Sequence, residues 1–113
     1  METKLNLYQF NLPTNTNAGL SYEKARNDWA AKALELAGGY TLLPGFALGF
    51  WKAPGSPRIY KDTIAVYQVA CVSRVAGLLL AEFWKLFPDQ EAAFMADLGP
   101  ASIIDRPAQA DAA

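Results

Sequence analysis

Apolar and polar residues follow two different periods along the chain, and the switches between them mark out its elements. Residues 5–10 place Leu5 and Leu7 on one side of an extended segment and Tyr8 and Phe10 on the other. That two-residue period is the mark of a strand. Residues 11–19, rich in Asn and Thr, read as a loop. From Tyr22 the period lengthens: Tyr22, Ala25, Trp29, Ala33 and Leu36 recur at steps of three and four. They form the apolar stripe of a helix, with Arg26, Asp28, Lys32 and Glu35 left to the solvent side. Ser21 is the expected N-cap, Glu23 suits the positive end of the helix dipole, and Gly38-Gly39 ends the helix.

Residues 40–51 carry β-formers interrupted by Pro44, Gly45 and Gly49, the pattern of one strand with a bulge or bend near its start. Residues 53–57 hold two prolines and a glycine and form the turn to the next strand. Residues 64–72 are apolar at nearly every position, as a central strand should be. Ser73 is the expected cap of a second helix, whose stripe runs through Val75, Leu78, Leu79, Glu82, Phe83 and Leu86. It stops near Phe87, because Pro88 lacks an N–H and disfavours a helical predecessor. Residues 92–98 read as the fourth strand, broken by Gly99-Pro100. Ser102, Ile103 and Ile104 are candidates for a short further strand. Residues 107–113 form an expected disordered tail, leaving one domain over residues 1–106.

The order β-α-β-β-α-β predicts an α+β fold, a ferredoxin-like sandwich with two helices on one face of a four-stranded antiparallel sheet. The other face of such a sheet is open. Tyr8 and Phe10, with the alternating apolar residues of the third strand, put large apolar groups on both faces. An open apolar face of that size marks an interaction surface, so a homo-oligomer is expected, a dimer or a trimer joined through it.

Composition points the same way. Of the 113 residues 52% are hydrophobic and 19% charged, which leaves more apolar surface than a small monomer hides. The net charge is −1, and the ten basic residues form no run, which argues against a nucleic-acid binder. There is no histidine and one cysteine, Cys71, within an apolar stretch. No metal site or cofactor is expected, and Cys71 is expected as a core residue. The first residues lack the cationic start and apolar run of a leader, and the apolar stretch at residues 75–81 is too short for a membrane span. A cytoplasmic protein is the expectation.

One loop concentrates the candidate chemistry. Between Trp51 and Asp62 the chain holds Lys52, Arg58 and Lys61 beside Trp51 and Tyr60. Cations can hold an anion there while a flat ring stacks on an aromatic side chain. The plain alternative is a hairpin loop with solvated charges. Gln90 and Glu91 precede the last strand, where Glu91 can accept hydrogen bonds from a ribose or meet a cation; a solvated turn is the alternative. Asp62 can serve as a base if burial raises its pKa, though an acid at the start of a strand is also an ordinary turn-former. Gly38-Gly39 follows a helix, whereas anion-binding glycine loops precede one, so it is a helix terminus.

Gly38-Gly39-Tyr40-Thr41, Pro44-Gly45, Gly49, Trp51, Tyr60, Asp62, Tyr67 and Val69, with the segment Pro88-Asp89-Gln90-Glu91-Ala92, resemble a diffuse set of small bacterial and phage proteins built like the PII-like trimers. The resemblance spans residues 38–98. It implies a trimer that holds a small anionic, nucleotide-like ligand between subunits beside the loop joining the second and third strands. That places Trp51, Lys52, Arg58, Tyr60, Gln90 and Glu91 at a ligand. A related branch, similar to the phage S-adenosylmethionine lyases, uses a carboxylate near the start of the third strand. Asp62 matches that position, where the branch has glutamate. Three functions therefore stand: a non-enzymatic binding or regulatory oligomer, a lyase-like enzyme acting through Asp62, and a protein-binding counter-defence factor.

Overall fold

The computed structural model describes residues 4–108 and shows a ferredoxin-like α+β sandwich. Its elements are β1 (Asn6–Pro13), α1 (Glu23–Ala37), β2 (Thr41–Leu42), β3 (Ala47–Lys52), β4 (Ile59–Cys71), α2 (Ser73–Leu86) and β5 (Phe94–Pro100). The antiparallel sheet runs β2-β4-β1-β5, and β3 pairs with β4 further along the edge that β2 occupies. The expected second strand is thus two strands. Pro44 and Gly45, the latter at φ 73°, turn the chain between them, and both segments keep β4 as their partner. Residues 102–104 join no strand. Of the expected tail, residues 109–113 lie outside the described residues.

The register of β1 on β4 decides which side chains meet the helices. Tyr8 lies opposite Val69, Phe10 opposite Tyr67 and Leu12 opposite Ala65, and directly opposed residues share a face. All six are buried beneath α1 and α2. Tyr8 and Phe10 therefore belong to the core. The open face carries Leu7, Gln9 and Asn11 of β1 opposite Ala70, Gln68 and Val66 of β4. A row of amides crosses it: Gln68 Nε2 donates to Gln9 Oε1 (3.1 Å) and Gln9 Nε2 to Asn11 Oδ1 (3.4 Å).

Trp29 of α1 fills the centre of the core, fully buried, with ring centroids 5.0 Å from Phe10 and 5.3 Å from Tyr67. Its indole N–H donates to Leu79 O of α2 at 3.0 Å, so one side chain ties both helices to the sheet. Val75, Leu79 and Phe83 supply the buried stripe of α2, whereas Leu78, expected on it, is exposed. Cys71 is buried, and desolvation raises its thiol pKa. α1 ends at Gly38, whose φ of 83° lets its N–H reach Leu34 O.

Other sequence expectations shift. Tyr22 and Val72, not Ser21 and Ser73, hold the N-cap positions, although Ser21 Oγ still accepts the Glu23 N–H at 3.1 Å. Arg26, assigned to solvent, is buried because it lies one turn before Trp29 and reaches inward to backbone carbonyls of β1 and the loop beyond. The last strand continues through Gly99 and Pro100, the ladder absorbing them with a register shift between Asn6 and Tyr8. No helix among the described residues is long and apolar enough to cross a membrane.

β4 begins well beyond the helices. Its residues 59–63 are largely exposed, and so is β3 apart from Gly49. Together they form a projecting two-stranded arm in a molecule measuring 66 × 25 × 23 Å. The radius of gyration is 17.0 Å, against about 13 Å for a compact domain of this length.

A latch fastens the loop after β1 to the turn after α2. The Tyr22 hydroxyl donates to Asp89 Oδ1, the Asn17 backbone N–H to Asp89 Oδ2 at 2.6 Å, and Asn17 Nδ2 to Asp89 O at 2.9 Å. Burial, followed by the hydrogen bond to Asp89, raises the Tyr22 pKa from 10.0 to about 12. The bonds from Tyr22 and Asn17 hold the Asp89 carboxyl below its ordinary value. Folding thus favours protonated Tyr22, a contribution complete below pH 10.0 and lost as pH rises through about 12. Ionised Asp89 contributes above its ordinary pKa of 3.8, and that contribution is lost as pH falls through its lower folded value. Tyr22→Phe should cost about 1 kcal/mol at neutral pH. In urea titrations across pH, Tyr22→Phe should flatten the alkaline fall in stability and Asp89→Asn the acid one.

Candidate functional site

The arm is a hairpin closed by residues 53–58. Ser56 N donates to Ala53 O at 3.1 Å and Arg58 N to Ser56 Oγ at 3.1 Å, so the two prolines sit where no ladder hydrogen bond is required. The register places Trp51 directly opposite Tyr60. Their rings stack with centroids 4.7 Å apart and planes 20° from parallel. The Arg58 guanidinium lies 4.9 Å from the Tyr60 ring centroid, and Trp51 Nε1 donates to Asp62 Oδ2 at 2.8 Å. Arg58, Tyr60, Trp51 and Asp62 form one continuous ladder: cation, two stacked rings, carboxylate.

Next to the ladder lies a cleft of about 470 Å³. Arg58, Tyr60, Lys61 and Asp62 line its arm side, Asn15, Thr16 and Asn17 the opposite wall, and Gln90 one end. The wall is rigidly built. Thr14 N and Thr14 Oγ1 both donate to Thr63 O at 3.1 Å, joining the loop to the base of the arm. Thr16 N donates to Leu20 O at 2.7 Å, and Asn15 Nδ2 donates to Gly19 O at 3.2 Å. At the end, Gln90 Nε2 donates to Asp89 Oδ1 at 3.1 Å, so the latch also positions Gln90.

Five of the seven residues singled out from the sequence come together here: Trp51 and Asp62 through their hydrogen bond, Arg58 and Tyr60 on the ladder, and Gln90 across the cleft. Two do not. Lys52 pairs with Ile59 and so projects from the face opposite to Trp51. Glu91 is exposed and outside the lining. Asp62 is exposed, and its Oδ2 accepts the Trp51 indole N–H. The sequence reading took the stretch holding Asn15, Thr16 and Asn17 as a solvated loop and gave Asp89 no role of its own. The density of amides and hydroxyls after β1 was the available signal for the wall, and an acid directly after Pro88 for Asp89.

Chemically, the Arg58 cation and the Tyr60 ring stand beside a wall of neutral donors and acceptors, while Lys61, opposite Phe50, projects from the other face of the strand. Such a surface suits an anion that carries a planar group. No group of three or more histidine, cysteine or acidic side chains able to hold a metal occurs among the described residues.

Comparison with solved structures agrees with this architecture. The crystal structure of CutA1 from Oryza sativa superposes with a TM-score of 0.61 at 12% identity, over 91% of this chain and 84% of that one. CutA from Synechococcus elongatus PCC7942 gives 0.57 at 16% identity, over 90% and 84%. The fold is similar to that of the CutA proteins. It is the ferredoxin-like build that the order of the elements predicted. Likeness at these identities is a likeness of fold. No family model and no curated protein matches the sequence, and nothing in the comparisons supports kinship with the phage lyases.

The ladder has a spectroscopic consequence. Tyr60→Ala or Asp62→Ala should reduce the near-ultraviolet circular dichroism contributed by Trp51, leaving the far-ultraviolet spectrum unchanged. Retention of the full near-ultraviolet signal in both variants would mean that the stack is not populated in solution.

Proposed function

We propose that this chain is a non-enzymatic binding or regulatory protein of the cytoplasm. It works as a homo-oligomer and holds a small anionic, nucleotide-like ligand in the cleft beside the arm. The observation that carries the reading is that Arg58 and Tyr60, the latter stacked on Trp51, share a cleft with the amide wall of Asn15, Thr16 and Asn17. The guanidinium meets the anionic group, the aromatic edge meets a planar ring, and Gln90 with the asparagines reads polar substituents. Asp62 acts by holding the indole in place.

Oligomerisation is supported by where the apolar surface lies. Phe46, Leu48, Phe50 and Ile59 on and beside the arm are 64%, 56%, 64% and 67% exposed, and Phe94 and Leu98 of β5 are 52% and 51% exposed. An arm that projects this far with this composition is incomplete without a covering surface. The amide row across the open sheet face moves the expected contact away from the middle of that face, toward the arm and the β5 edge. A second copy against the arm would bring another surface to the cleft.

Light scattering at micromolar concentration should give two or three times the 12.3 kDa chain mass. Leu48→Asp with Phe50→Asp should return it to a single chain. A wild-type protein that runs as one chain removes the oligomer.

Adenine nucleotides should raise the thermal midpoint of the wild type, and Arg58→Ala should weaken binding by about tenfold, the effect of losing a charge-assisted contact. No stabilisation by any nucleotide or by S-adenosylmethionine would remove the ligand. Consumption of S-adenosylmethionine, abolished in Asp62→Ala, would replace binding with turnover.

A further inference from the structure

A second cleft, of about 490 Å³, opens on the helix side of the arm's base between α1 and the bend joining β2 to β3. Its most unusual component is Arg26. The side chain is only 9% exposed, and its Nη1 donates to Pro13 O at 3.3 Å and to Thr14 O at 3.0 Å. Those partners are neutral. Among the described residues the ion pairs are Lys24–Asp28, Lys32–Glu35 and Lys85–Glu82, and none involves Arg26. A guanidinium withdrawn from water without a counter-charge is an unfavourable arrangement, which an arriving anion would relieve.

The surroundings restrict which anion. The Phe46 ring lies 5.8 Å from the guanidinium carbon, and Tyr67 and Leu42 complete an aromatic and apolar wall. Burial raises the Tyr67 pKa against the opposing pull of Arg26, so its phenol stays a neutral hydrogen-bonding group. Glu23, exposed on the first turn of α1, lies on the rim with Asn27. A carboxylate at the mouth repels a strongly charged phosphate but favours an ammonium group. The volume suits a small molecule, and a guanidinium fork suits a carboxylate.

We propose that this cleft binds a free amino acid with an apolar side chain, its carboxylate on Arg26, its ammonium toward Glu23 and its side chain against Phe46 and Tyr67. The site shares no lining residue with the Arg58 cleft and does not depend on the nucleotide-like ligand assigned there.

Amide chemical shifts of the assembled protein, titrated with L-phenylalanine, phenethylamine and 3-phenylpropionate, test it. L-phenylalanine should give saturable shifts around residues 42–46 and Arg26, with a dissociation constant of about 1 mM or below. Phenethylamine, which lacks the carboxylate, should bind at least about tenfold more weakly, as should L-phenylalanine to Arg26→Gln. Glu23→Gln alters an exposed side chain and should remove the preference for L-phenylalanine over 3-phenylpropionate. Should Arg26→Gln fail to fold, the three ligands on wild type and Glu23→Gln decide the matter. The proposal is overturned by no saturable shift up to about 10 mM, by equal binding of phenethylamine, or by shifts confined to the Arg58 cleft.

Discussion

The two helices are shorter than the strand they cover. β4 has 13 residues and α2 has 14. At about 3.4 Å per residue the strand spans about 44 Å, whereas at about 1.5 Å per residue the helix spans about 21 Å. A helix layer centred on Trp29 can therefore shield only one half of β4. In that half, Ala65, Tyr67, Val69 and Cys71 alternate with half-buried residues of the open face, and the core is built there. In the other half, residues 59–63 pair with β3 and remain largely exposed. The arm, its apolar surface and both clefts at its base follow from this mismatch.

The base of the arm is where covering layer and free hairpin meet, and the chain reinforces it with polar contacts rather than packing. Thr14 bonds to Thr63, Asn17 and Tyr22 bond to Asp89, and Arg26 bonds to the carbonyls of Pro13 and Thr14. Pro13 and Thr14 line the Arg58 cleft while their carbonyls hold the Arg26 side chain that lines the other. The two clefts are thus divided by a single short segment of backbone. Its polar groups are satisfied from both sides, which is the condition for keeping irregular backbone in a half-buried position.

Several features were legible before any coordinates. The periods of three and four located both helices, the unbroken apolar run located β4, and Gly38 ended α1 as its position predicted. The ladder was legible in part, because Trp51, Arg58, Tyr60 and Asp62 flank one turn and a hairpin brings the two sides of a turn together. Lys52 stands apart from the ladder because neighbours on a strand face opposite ways, so one residue of register separates a ladder member from its reverse face. Arg26 was misassigned because a helical stripe records which side faces the core, not whether a long cation reaches back to buried carbonyls. Which way Tyr8 and Phe10 point was left open, because a strand with apolar residues on both sides does not say which side the helices cover.

By itself the sequence determined what is local. Helix period, strand period, turn chemistry and the lack of histidine are each properties of neighbouring residues, and together they defined the α+β order and a cationic-aromatic hairpin. What only the tertiary structure decided is whatever depends on residues far apart in the chain. It chose which face of β1 the helices cover, divided residues 40–51 into two strands on a common partner, and carried Asn15–Asn17 and Gln90 to the cleft beside Arg58. The physical reason is that these outcomes are set by the pairing register of β4 and by the reach of two helices along it. Both are competitions among long-range contacts that no short window of sequence contains.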